Sequence, residues 1–73
     1  MKKEIRTIKE AENLKMKGYV LVSYKDYAKR KNNSRILRFF SDEDEALYNA
    51  SSMSRSDGVN YAIYSFANSK IIF

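Results

Sequence analysis

Two runs of aromatic and β-branched residues, 19–24 and 61–66, constrain the fold more than any other feature of the chain. Both runs follow the pattern Tyr-x-aliphatic-x-Ser-aromatic, and neither contains glycine or proline. This composition is typical of β-strands. Each run also follows a segment that contains Glu-Ala and ends at a glycine, Gly18 or Gly58. As an internal repeat, this pattern predicts two strand–helix–strand units in series.

The first of these helices has sequence signals at both ends. Thr7 is followed three residues later by Glu10, which is the spacing of a capping box. Gly18 suits the left-handed conformation that ends many helices. We therefore expect an amphipathic helix over residues 8–17. Its narrow apolar stripe contains Ile8, Ala11 and Leu14.

The second helix is predicted to begin at Ser41 or Asp42 and to end before Gly58. Acidic residues 42–45 occupy its start, where their negative charges interact favourably with the positive end of the helix dipole. Consecutive helical residues point in different directions, so we interpret this acidic run as a helix start and not as a cation site. The apolar stripe of this helix contains Ala46, Leu47, Ala50 and Met53.

The remaining segments predict an antiparallel sheet in one α+β domain over residues 1–73. The two helices are expected to pack on one face of this sheet. The order is either the ferredoxin-like β-α-β-β-α-β or, without a weak first strand, α-β-β-α-β-β. The additional predicted segments are a first strand over residues 2–6, an extension of strand 19–24 towards Ala28, a basic turn over residues 29–33, a strand over residues 35–40 and a terminal strand over residues 70–73.

Alternation along these strands predicts an apolar sheet face that the helices leave open. Side chains alternate between the two faces of a strand, and the charged Arg38 marks the solvent side. The predicted open face contains Tyr19, Leu21, Ile36, Phe40, Tyr61 and Ile63, and the predicted helix-covered face contains Val20, Val22, Tyr24, Leu37, Phe39, Ala62, Tyr64 and Phe66. Because a monomer rarely exposes so large an apolar patch, we expect a second layer there, either a partner or another copy in a homodimer.

The composition argues against catalysis and against a resident cofactor or metal. The chain has no histidine and no cysteine, and its only glycines are Gly18 and Gly58. It therefore has no imidazole base, thiolate or glycine-rich phosphate loop. A chain this short usually needs a supplement to its core, and without disulfides that supplement is a partner. No apolar run has membrane-spanning length, so a cytoplasmic protein without membrane contact is expected.

The charge distribution indicates an anionic partner. The net charge is +5, and residues 1–40 hold 12 basic and 4 acidic side chains. Such asymmetry predicts one electropositive surface. We therefore expect a non-enzymatic binding protein that docks a basic hairpin and an aromatic sheet face on nucleic acid or a nucleoprotein complex. The candidate partner-binding residues are Lys25, Lys29, Arg30, Lys31, Arg35, Arg38, Tyr19, Tyr27 and Phe40.

A second hypothesis is an inhibitor that acts by protein–protein contact. In length, Asn-, Ser- and Lys-rich composition and lack of catalytic motifs, the chain resembles many small phage-encoded proteins, including inhibitors of the anti-CRISPR kind. This resemblance covers size and composition along the whole chain and no motif. It implies a host defence complex as the partner and an interface built around tyrosine or arginine anchors.

Overall fold

The computed structural model describes residues 5–73, which form an α+β fold with a four-stranded antiparallel sheet and three helices. The predicted strand over residues 2–6 falls largely outside the described residues. The elements in chain order are α1 (Ile8–Asn13), β1 (Tyr19–Ser23), α2 (Tyr24–Arg30), a 3₁₀ turn (Lys31–Asn33), β2 (Arg38–Phe40), α3 (Glu43–Asp57), β3 (Tyr61–Ser65) and β4 (Lys70–Ile71).

The strand order β2-β1-β3-β4 differs from the ferredoxin-like arrangement. Strand β1 lies in the centre and pairs antiparallel with both neighbours, so that Tyr19 lies opposite Phe40 on one side and Ser65 on the other. In a ferredoxin-like sheet the strand that follows the first helix lies at an edge, whereas β1 lies between β2 and β3. The order of elements follows the α-β-β-α-β-β alternative, with α2 inserted between its first two strands.

Helices cover both faces of the sheet, so the prediction that they share one face is wrong. Helix α1 and Tyr27 of α2 pack on one face, in a cluster with Val20, Val22, Ile36, Ala62 and Tyr64. Helix α3 packs on the opposite face, in a cluster with Leu21, Ile63, Tyr19, Phe40 and Tyr61. The second apolar face was therefore predicted correctly, but its cover is the chain's own helix. A homodimer through an open sheet face loses its basis.

Helix α2 replaces the predicted extension of the first long strand. The Ser23 hydroxyl caps it by accepting a hydrogen bond of 3.5 Å from the Asp26 backbone N–H. Tyr24 is thus the first helical residue, and its side chain is 55% exposed where the strand pattern placed it in the core. The predicted basic hairpin over residues 29–33 is also wrong, because the chain leaves α2 through the 3₁₀ turn.

Helix α1 ends at Asn13, four residues before the predicted end. The backbone N–H of Met16 donates to the Ala11 carbonyl at 3.1 Å, and Lys15 takes the left-handed conformation with φ of 55°. Gly18 has a different role: its φ is 102°, and a Cβ there would lie 2.6 Å from the Phe40 carbonyl oxygen. The glycine thus permits close passage of two backbone segments.

Helix α3 confirms the predictions made for it. Asp42 is the N-cap and accepts from the Glu45 backbone N–H at 3.0 Å, and Gly58 ends the helix with φ of 69°. Ala46 and Ala50 are fully buried against the sheet. These small side chains allow α3 to lie close to β1 and β3.

Three residues of the predicted strand 35–40, Ile36, Leu37 and Phe39, have the opposite exposure to that predicted. Leu37 and Phe39 are exposed, whereas Ile36 is buried in the α1 cluster. The cause is a local pairing outside the sheet, in which the Ile36 N–H donates to the Arg6 carbonyl at 2.7 Å. Ile8 N–H donates in turn to the Ser34 carbonyl at 3.2 Å. This bridge interrupts the alternation expected for an unbroken strand.

Candidate basic binding surface

Five of the predicted basic residues lie together on α2 and the segment that follows it. They are all exposed and form what we call the α2 basic surface: Lys25, Lys29, Arg30, Lys31 and Arg35. Lys25 and Lys29 are one helical turn apart and therefore share a face of α2. Together with Ser23, Asp26 and Arg30 they line a shallow recess of about 240 Å³.

A single carboxylate, Asp26, lies within this surface. Asp26 is the one acidic residue between Glu12 and Asp42 in the sequence. Its Oδ2 accepts from the Arg35 backbone N–H at 2.9 Å, and its Oδ1 lies 3.3 Å from Arg30 Nε. Within residues 5–73, Arg30 is the one member of the surface with such an ion pair. The other four cations leave an excess of positive charge.

Lys31 connects α2 to the 3₁₀ turn in a conformation that favours glycine. Its φ is 51° and its ψ is −118°. The Ser34 hydroxyl and backbone N–H both donate to the Lys31 carbonyl, at 2.6 and 3.0 Å. The Lys31 ammonium lies 5.5 Å from the centre of the Tyr27 ring. The hydrogen bonds hold the unfavourable Lys31 backbone, and the ring contact places the ammonium beside α2.

Tyr27 is half-buried beneath this surface and belongs to the core. Its ring lies 6.1 Å from the ring of Tyr64, and it packs against the α1 cluster. Tyr27 was predicted to offer a flat contact to a partner. In the structure its ring contacts the Lys31 ammonium and packs against the α1 cluster.

The other three predicted site residues lie on the α3 side of the sheet. Arg38 is opposite Leu21 in the ladder, and Tyr19 is opposite Phe40. Burial and the nearby Glu43 carboxylate raise the pKa of the Tyr19 phenol above its ordinary value. Tyr19 thus borders the acidic start of α3. The structure does not bring Arg38, Tyr19 and Phe40 together with the α2 basic surface.

Sequence reasoning missed Ser23 and Asp26, which build the surface. The signal was present, since Ser-x-x-Asp has the same spacing as the Thr7–Glu10 cap that was recognised. It also missed a group of aromatic residues beside α2, formed by Tyr24, Tyr61 and the distant Phe73. No local pattern predicts that last contact, because it depends on the path of the chain after β4.

The acidic start of α3 caps the helix through Asp42 and lies beside Tyr19 through Glu43. Asp42 caps the helix, and within residues 5–73 no group of three or more acidic side chains is placed to hold a metal ion. No helix in this part of the chain is long and apolar enough to cross a bilayer.

Comparison of the sequence with known protein families and with curated proteins, and of the structure with solved structures, finds no match. The interpretation of this surface therefore depends on its own chemistry.

Proposed function

We propose that this chain is a non-enzymatic binding protein that engages nucleic acid or a nucleoprotein complex through the α2 basic surface. The observation that carries the proposal is the exposure of Lys25, Lys29, Lys31 and Arg35 around one carboxylate, Asp26. That carboxylate is already engaged by Arg30 and by a backbone N–H. The surface therefore offers unpaired cations to an extended polyanion.

The proposed interaction is electrostatic, so its dependence on salt is the direct test. Binding of a fluorescein-labelled oligonucleotide is measured by fluorescence anisotropy from low to physiological salt. Each phosphate neutralised contributes a slope of about −0.7 to −0.9 to the plot of log affinity against log salt. A flat response would contradict the proposal.

A matched pair of double variants locates the binding site. Lys25→Gln/Lys29→Gln removes two charges from the α2 basic surface, and we expect the salt slope to become shallower by about 1.5. Lys17→Gln/Lys70→Gln removes two exposed charges near the other end of the sheet, where Lys70 is opposite Ser65. Equal loss of affinity in the two variants would show diffuse attraction to the net charge.

A protein-directed inhibitor is the second candidate function, and edge strand β2 favours it. Phe39 in β2 is 46% exposed, Leu37 just before the strand is also exposed, and β2 has a sheet neighbour on one side. An apolar edge strand suits contact with a protein partner. Such a complex would survive moderate salt and would be lost in Phe39→Ser. Recovery of nucleic acid and no stoichiometric protein from a host extract would count against it.

A further inference from the structure

Two recesses are lined by residues at the start of α2. One is the basic recess lined by Lys25, Lys29 and their neighbours, and the other has about the same volume, 240 Å³. The second recess is lined by Tyr24, Asn60, Tyr61 and Phe73. The Tyr24 backbone N–H donates to the Asn60 carbonyl at 3.0 Å, which joins the start of α2 to the start of β3. Consecutive residues 23–25 therefore separate a cationic recess from an aromatic one.

The aromatic recess presents ring surfaces that the fold leaves uncovered. Tyr24 is 55% exposed and Phe73 is 48% exposed. The Tyr61 phenol donates to Oδ2 of Asp57, the last residue of α3, at 2.8 Å. Phe73 follows Ile72, whose N–H donates to the Ile63 carbonyl at 2.9 Å. The Tyr61 ring is thus held by its own hydrogen bond, and backbone hydrogen bonds join the segments that carry Tyr24 and Phe73 to β3 and the residue before it.

The size and lining of this recess suit one flat heterocycle. Its volume is below the roughly 300–1,000 Å³ of pockets that enclose drug-sized ligands. Aromatic rings bind the faces of nucleobases with little dependence on sequence. The exposed Asn60 lies at the same rim and carries both a hydrogen-bond donor and an acceptor.

The charges close to the aromatic recess indicate which ligand it suits, a nucleotide or an apolar peptide. Lys25 follows Tyr24 directly, and Lys29 lies one turn further along the helix. A nucleotide carries its phosphate one sugar away from its base, so cations close to an aromatic recess match both parts of one ligand. An apolar peptide would use the rings and leave Lys25 and Lys29 without a counterpart.

We propose that the chain binds single-stranded nucleic acid, with one unpaired base in the recess of Tyr24 and Phe73 and the adjoining phosphates on Lys25 and Lys29. This inference depends on the proposed function and specifies its substrate class. A duplex does not fit, because its bases are paired and stacked and their faces are inaccessible.

The test compares four labelled ligands of equal length: a pyrimidine DNA strand, the matching RNA strand, the duplex, and a DNA strand made of abasic nucleotides. Anisotropy at low salt gives the affinity for each. We expect the base-containing strands to bind about tenfold more tightly than the abasic strand and the duplex. The ratio between the RNA and DNA strands identifies the preferred sugar.

Single substitutions test whether the tighter binding of base-containing strands depends on the aromatic recess. Tyr24→Ala is expected to lower affinity for the base-containing strand about tenfold and to leave the abasic strand unchanged, while Tyr24→Phe retains binding. Phe73→Ala, at an exposed residue after β4, is a second test that does not involve α2. Tyr48→Ala is the control, because Tyr48 is 74% exposed on the outer surface of α3. Thermal melting verifies that each variant is folded.

The outcomes separate this inference from the proposed function. Equal affinity for base-containing, abasic and duplex ligands would overturn the inference and leave electrostatic binding in place. A loss in Tyr24→Ala that is equal for all four ligands would also overturn it. Absence of binding to every ligand at low salt would overturn both proposals. If a hydrophobic peptide, and no nucleic acid, binds in a Tyr24-dependent manner, the recess is a protein contact.

Discussion

The phenol of Tyr64 donates a hydrogen bond of 2.7 Å to Glu12 Oε2 and so joins β3 to α1 across the face of the sheet. The Tyr64 side chain is only 1% exposed and contacts the rings of Tyr27, at 6.1 Å, and Phe66, at 5.6 Å. A buried phenol needs a hydrogen-bond partner, and Glu12 supplies one at the edge of the core. This pair joins the short helix to the sheet in addition to its buried side chains Ile8 and Ala11.

We expect Tyr64→Phe to lower the free energy of unfolding by about 1 kcal/mol. The ring packing is retained, and Glu12 is exposed enough to regain hydrogen bonds from water. Urea denaturation measures the change. Tyr61→Phe is the matched control, because Tyr61 makes the same kind of bond to Asp57 at the surface, and its loss should cost less than about 0.5 kcal/mol. Equal losses would contradict the importance of the Tyr64–Glu12 pair.

The raised pKa of Tyr64 predicts that the protein loses stability at alkaline pH. Burial raises the pKa of Tyr64 to about 12, and the Glu12 carboxylate adds to the effect. The ordinary phenol pKa, near 10, applies in the unfolded chain. Because the folded state favours the neutral phenol, its contribution is complete below pH 10 and is lost as the pH rises from 10 through about 12.

The measurement is the free energy of unfolding of the wild type and Tyr64→Phe across this alkaline range. The difference between the two proteins should shrink as the pH rises, while Tyr19 and Tyr61 are common to both. A difference that stays constant throughout would show that Tyr64 has an ordinary pKa in the folded state.

The fold was predictable where its determinants are local. Thr7, Asp42 and Gly58 lie at helix ends and act on backbone groups within a few residues, so their patterns identified α1 and α3. The face that each helix covers is not a local property. It depends on the connections, and α2 changes the path between β1 and β2. Two apolar sheet faces were therefore predicted, but not that α3 covers the second.

In the candidate site, too, local properties could be predicted from the sequence and the packing of distant residues could not. The charges of Lys25, Lys29 and Arg35 are given by the sequence, and their exposure follows from the cost of burying them. The environments of Tyr19 and Tyr27 depend on what packs against them, namely Glu43 for one ring and Tyr64 for the other. Aromatic residues in a strand-like run therefore did not reveal which rings are free to contact a partner.

The two glycines should differ in their tolerance of alanine. At Gly18 an added Cβ would lie 2.6 Å from the Phe40 carbonyl oxygen, and the φ of 102° is unfavourable for any L-residue. At Gly58 an added Cβ would meet nothing within 4 Å, so only the φ of 69° opposes it. We expect Gly18→Ala to cost about 3 kcal/mol and Gly58→Ala about 1 kcal/mol. Comparable losses in urea denaturation would contradict the close approach at Gly18.

Lys31→Gly should separate stability from binding. Glycine adopts the φ and ψ of this position without strain, so we expect the free energy of unfolding to rise by up to about 1 kcal/mol despite the lost contact with Tyr27. Affinity for an oligonucleotide should fall, because a surface cation is removed. Lys29→Gln removes a neighbouring cation without changing the backbone, and only its affinity should change. Destabilisation by Lys31→Gly would show that the lysine conformation is not strained.

Asp26→Asn should increase affinity for nucleic acid while slightly destabilising the fold. The amide oxygen of asparagine can still accept from the Arg35 backbone N–H, but the charge that pairs with Arg30 is lost. Arg30 is then available to phosphate, so we expect affinity to rise several-fold at low salt and the gain to fade as salt screens it. The exposed ion pair and the first-turn charge together contribute less than about 1 kcal/mol to folding.

Asp44→Asn is the matched control for this prediction, since it makes the same charge change at the exposed start of α3, on the opposite face of the sheet. If only the net charge mattered, both variants would bind more tightly by the same factor. If the α2 basic surface is the binding site, the gain in Asp26→Asn should exceed that in Asp44→Asn at every salt concentration below the physiological one. A larger gain in Asp44→Asn would place the polyanion on the α3 side, where Arg38 lies opposite Leu21.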